Sequence, residues 1–145
     1  MPSHPQLPKL SDANSTETSP HDPAYNCIAW ALNDNSQFWW PLGAPDSFWP
    51  DDVPNEVTVE AFITLFESKG FERCDSAVLE AEIEKVALYL QNDVPKHAAR
   101  QLGDGRWTSK LGKWIDIEHI DTGVLDDGTY GAATIFFRRP KQVAE

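Results

Sequence analysis

The sequence is poor in basic residues, cysteine and methionine, and it has no long apolar run. Twelve Lys and Arg stand against 23 Asp and Glu, a formal net charge of −11. The field of the whole molecule therefore repels phosphate backbones and anionic membranes, and no nucleic-acid or membrane partner is expected. No arginine-rich stripe interleaved with aromatics offsets this. No segment has the apolar length of a bilayer span. Met1 to Pro20 has neither the basic start nor the apolar stretch of a signal peptide, so a cytoplasmic location is expected. The only cysteines, Cys27 and Cys74, are expected to be reduced thiols. Cys-x-x-Cys and His-x-x-x-His spacings are missing, and the four histidines are scattered at 4, 21, 97 and 119. No zinc site and no other cofactor is expected. Asp51-Asp52 and Asp126-Asp127 lack the alternating oxygen ligands of a calcium loop and read as solvated turns. A phosphate-cradling glycine loop and a Gly-x-Ser-x-Gly elbow are also missing.

What is present fits one domain. A chain of 145 residues can bury one proper core. Residues 1–22, rich in Pro and Ser, read as a flexible arm, 23–140 as a single folded domain and 141–145 as a tail. A short helix is expected from Cys27 to about Asn33. A second should start after the cap Thr58, turn Phe62, Ile63, Leu65 and Phe66 inward, and stop at Lys69-Gly70. Strand-like runs follow at 85–90, 97–102, 106–111 and 130–138, with Gly103-Asp104-Gly105 joining the middle two as antiparallel neighbours. Phe71 to Cys74 reads as a short strand, and 112–127 as a longer irregular connection. Between the helices lies a long loop with Trp39, Trp40 and Trp49. Its aromatics either wall a groove or cap the core.

Tyr25 to Leu32 carries the most chemistry. Asn26 is a good N-cap, which puts Cys27 at the first helical position, where unpaired backbone N–H groups favour a thiolate. That is the usual setting of a reactive cysteine, although most free cysteines are buried and inert. Two further readings stand beside it. A histidine on a strand is more often structural than catalytic, and a small acidic chain of this charge suits a cationic partner, such as a toxin to be neutralised.

Two stretches, Asn26-Cys27-Ile28-Ala29-Trp30-Ala31 and His97 to Ser109 with its Gly103-Asp104-Gly105 turn, resemble the cysteine helix and histidine hairpin of the papain-like thiol hydrolases, in the arrangement of NlpC/P60 cell-wall peptidases. The chain also looks like a small family of uncharacterised bacterial domains with the signature YNCIAWA, HAARQL and WTSKLG. The first resemblance implies an α+β fold, with N-terminal helices packed on an antiparallel sheet in a papain-like arrangement. It also implies a cysteine-dependent hydrolase or acyl transferase acting on an amide, ester or thioester bond, with a peptide-like or amide-containing substrate. Cys27 would be the nucleophile and His97 the base. The Cys27 N–H, helped by Asn26 or Tyr25, would stabilise the oxyanion. Ser109 occupies the place of the residue that orients the imidazole, where the family pattern has His, Asn, Asp or Gln. Asp116 is the preferred substitute for that role, with Glu118 and His119 behind it. Tyr25, Asn26, Trp39, Trp40, Trp49 and Trp107 would line the substrate. The alternatives are a catalytically inactive peptide-binding domain of the same fold and the small acidic interaction protein.

Overall fold

The chain's longest apolar runs become its central strands. The structure is a computed structural model and describes residues 7–11, 13–19, 25–32, 38–42, 47–111, 116–126 and 128–141. The strands are β1 (Ser15–Ser19), β2 (Phe38–Trp39), β3 (Ser47–Phe48), β4 (Glu72–Cys74), β5 (Ile83–Gln91), β6 (Val94–Gln101), β7 (Trp107–Lys110), β8 (Asp116–His119) and β9 (Ala132–Pro140). Seven of them form one antiparallel sheet in the order β1-β8-β7-β6-β5-β9-β4, while β2 and β3 make a separate parallel pair. The helices are α1 (Cys27–Ala31) and α2 (Val59–Ser68), and a 3₁₀ turn spans Thr122–Leu125.

Both helices start where side-chain caps place them. Asn26 Oδ1 accepts from the Ala29 N–H and Thr58 Oγ1 from the Ala61 N–H, each cap supplying one of the acceptors that a first turn lacks. After α2 the chain turns through Gly70, whose φ of 92° is open to glycine at little cost. The β5–β6 hairpin closes on Asn92 and Asp93, both at positive φ (52° and 62°). That geometry matches the right-handed twist of the flanking strands, and Asn and Asp tolerate it. At Gly131 a Cβ would run into the Leu90 carbonyl, so β9 can lie this close to β5 only with glycine there.

The sheet is covered on both faces. On one, Val86, Leu88, Ala98, Ile135 and Phe137 pack against α1 and against Phe62, Leu65 and Phe66 of α2. On the other, Ala87, Tyr89, Ala99, Trp107 and Ile117 pack against Leu7, Leu10, Val124 and Leu125. Side chains alternate along a strand, so neighbouring residues supply the two cores.

The expected α+β arrangement, with N-terminal helices packed on a sheet in the papain-like manner, is therefore corrected to a mostly antiparallel β fold. The chain enters the sheet through β1 before either helix forms. α1 is five residues, little more than one turn, and α2 is ten, too little for a helical layer. The flexible arm expected over 1–22 contributes this edge strand and the buried Leu7 and Leu10. The irregular connection expected at 112–127 supplies β8 and the 3₁₀ turn. The expected central strands, the Gly103-Asp104-Gly105 hairpin and both helix starts are found.

Candidate functional site

The residues singled out for chemistry are divided between the two faces of the sheet. Cys27 opens α1 and is buried in the cluster that holds Ala98. Burial pushes its thiol up to about 11, and backbone hydrogen bonds to Ala98, Ile28 and its own peptide only partly oppose this. At neutral pH the thiol therefore keeps its proton. The helix start does not produce an activated thiol, because a one-turn dipole is weak against full desolvation.

His97 precedes Ala98 and looks the other way. It pairs with Tyr89 across β5 and β6 and meets the Tyr89 ring edge-on, with centroids 5.2 Å apart. The Tyr130 ring stacks on it at 4.2 Å. Among the described residues no hydrogen bond joins the imidazole to the thiol, and Nδ1 has no hydrogen-bond partner. Burial, and then the neighbouring His119, hold its pKa well below the ordinary histidine value. Cys27 thus meets the β6 backbone one residue along from His97, and its thiol also acts on Tyr130, whose ring stacks on the imidazole.

Ser109 Oγ lies 3.0 Å from His97 Nε2. The serine also lies 2.8 Å from His119 Nε2, and His119 Nδ1 lies 2.8 Å from the Asp121 carbonyl. The carbonyl can only accept, so neutral His119 carries its proton on Nδ1. Ser109 then donates to His119 Nε2 and accepts from His97 Nε2–H, which leaves His97 Nδ1 a bare lone pair. Burial draws His119 down to about 4. The partner of His97 is therefore a serine backed by a second histidine.

Asp116 serves the opposite face. Its carboxylate accepts a hydrogen bond from the Tyr25 hydroxyl and lies 3.8 Å from Lys110 Nζ, which in turn sits over the Tyr25 ring at 4.7 Å. All three side chains are buried. Glu118, also on the α1 face, pairs with Arg106 at 3.6 Å. Neither carboxylate orients His97.

The residues expected to line a substrate are mostly structural. Asn26 Oδ1 also accepts from Trp39 N–H at 3.1 Å, and Nδ2 donates to the Trp39 carbonyl at 2.7 Å. Its amide pins the aromatic loop. Trp39 is buried against Phe48. Trp40 and Trp49 both lean on Phe62 of α2. Trp107 is buried in the core of the other face. The loop tryptophans cap the core. Trp114 of the 112–127 connection lies outside the described residues. Lys110 and Tyr130 escaped the sequence reading, since a polar residue in a four-residue strand and an aromatic beside a turn carry no signal of burial. Among the described residues no cluster of His, Cys, Asp and Glu could hold a metal ion, and no helix is long and apolar enough to cross a membrane.

This geometry defines a mostly antiparallel β domain with two buried polar clusters, one on each face of a single sheet. The chain belongs to the family described as a domain of unknown function, DUF7689, whose model matches residues 16–138. A search of curated proteins gave no match. A search of solved structures gave none either.

Proposed function

We propose that this domain is an acidic, non-catalytic binding domain for a cationic partner. The observation that carries this reading is that no hydrogen bond joins Cys27 to His97 among the described residues, while burial keeps the thiol protonated and the imidazole neutral. A nucleophile and base need a shared proton path, and a desolvated thiol has little nucleophilic character. The net charge of −11 supplies an attraction for basic surfaces that acts at long range and weakens with salt. A reducing, cytoplasmic setting goes with this reading, supported by two cysteines that stay free.

One observation favours the competing reading, a cysteine-dependent hydrolase or acyl transferase acting on an amide, ester or thioester of a peptide-like substrate. His97 is held through Nε2 by Ser109 while its buried Nδ1 lone pair is open, the tautomer that a general base needs. Thiol labelling at neutral pH separates the two. In the native chain Cys27 is expected to label far more slowly than Cys74, to gain speed only in denaturant, and to be indifferent to His97→Ala. Rapid labelling of Cys27 that His97→Ala slows would overturn the binding reading in favour of the hydrolase.

A further inference from the structure

Acidic residues on this surface are compensated at one end of the molecule and bare at the other. Around β4 and β9, Arg138 bonds Glu72 and Glu80, Arg139 bonds Glu84, and Lys85 meets Glu80 at 2.7 Å. Those cations draw Glu80 below the usual carboxylate range, the Lys85 hydrogen bond first. Between His21 and Lys69, by contrast, the sequence has eight acidic residues and no basic one. In that stretch Asp51, Asp52, Glu56 and Glu60 are exposed, and across from it so is Asp93. None of the five forms an ion pair with a described residue.

A cavity of about 560 Å³ lies between the start of α2 and the β5–β6 hairpin. Val57, Val59, Leu90 and Val94 make its walls apolar, Glu60 and Asp93 add carboxylates, and among the described residues no Lys, Arg or His lines it. Its size falls within the range of ordinary ligand sites. Two further apolar residues, Leu42 and Phe48, are 65% and 40% exposed, and the Leu42 N–H bonds Asn55 in the loop that leads to Val57. The positive end of α2 does not oppose a cation strongly here, since Thr58 caps it and Glu60 stands in its first turn.

We propose that this groove receives an amphipathic segment of a partner protein bearing lysine or arginine. This inference rests on the binding reading above and names where and by what chemistry that binding occurs. The apolar walls take the aliphatic stem of the basic side chain and its apolar neighbours, while Glu60 and Asp93 meet the charged head at the rim. Carboxylates without a cation of their own attract one without losing an existing ion pair.

The test uses the full chain and three probes: a short synthetic peptide of alternating Lys and Leu, a Lys and Gly peptide of equal charge, and spermine. Titration followed by amide NMR shifts and calorimetry is expected to show the Lys and Leu peptide binding tightest, with shifts at 57–60 and 90–94 and affinity falling with salt. The double variant Glu60→Gln/Asp93→Asn, in which Asn tolerates the left-handed backbone at 93, should bind about fivefold more weakly. Undiminished binding by that variant, or equal binding of all three probes, would overturn the proposal. Salt-sensitive binding mapped elsewhere on the chain would sink the groove and leave the binding reading standing. Rapid, His97-dependent labelling of Cys27 without peptide binding would sink both.

Discussion

The two faces of the sheet hold buried polar groups by opposite means. On the face under α1, Tyr25, Lys110 and Asp116 bring charge into the interior and neutralise it pairwise. On the other, His97, Ser109 and His119 are kept neutral and linked by hydrogen bonds that end on the Asp121 carbonyl. The difference is that between a charge that must be paired and a titratable group that escapes the cost by giving up its proton. β7 serves both, since Lys110 and Thr108 face one way and Trp107 and Ser109 the other. The same alternation at His97 and Ala98 sends their side chains to opposite faces.

The largest effect should come from breaking the charged face. Lys110→Met removes a buried cation from beside the Asp116 carboxylate and is expected to cost about 3–5 kcal/mol. The paired change Lys110→Met/Asp116→Leu should recover most of that in urea denaturation. A loss below about 1 kcal/mol in the single variant would mean that the ion pair does not sustain this face.

Acid should come next and strike the neutral face. His119 sits near 4 when folded against an ordinary 6.5. As pH falls the unfolded chain binds the proton first, so stability is intact above 6.5 and drains between 6.5 and about 4, by about 3 kcal/mol for this residue. His97 shifts the same way and adds to the loss. Urea midpoints at neutral pH and at the lower end of that window measure it. In His97→Gln/His119→Gln the dependence over that window should flatten. An unchanged slope would place the acid sensitivity in other groups.

Much of the fold was legible because it is local. Asn26 and Thr58 announce their helices, Gly103-Asp104-Gly105 announces a hairpin, and the apolar runs announce β5, β6, β7 and β9. The edge was not legible. β1 is Ser15-Thr16-Glu17-Thr18-Ser19, a polar stretch made a strand only by its pairing with β8. Faces were not legible either. Where a sheet is covered on both sides its strands read as continuous apolar runs, as Val86 to Tyr89 does, and alternation no longer tells in from out. Ala98-Ala99 beside small residues of α1 did point to close packing, but only Ala98 packs there, while Ala99 faces the other core. The proximity of Cys27 to the histidine strand was readable, and the side on which the imidazole stands was not.

The smallest contrast is the sharpest, because it compares adjacent hydroxyls on one strand. Ser109 bridges two imidazoles, so Ser109→Ala leaves two buried ring nitrogens without a partner and should cost about 2 kcal/mol. Thr108, one residue earlier and on the α1 face, accepts from the Trp30 indole at 3.0 Å and donates to the Ile117 carbonyl at 3.0 Å. Thr108→Val keeps the shape, and the half-buried Trp30 can turn its N–H to water, so about 1 kcal/mol is expected. Denaturation of the two variants side by side, with Trp30 accessibility followed by quenching, checks the order. Equal losses would mean that the neutral face gains nothing from its hydrogen-bonded chain. A larger loss at Thr108 would move the weight of the fold to the anchoring of α1.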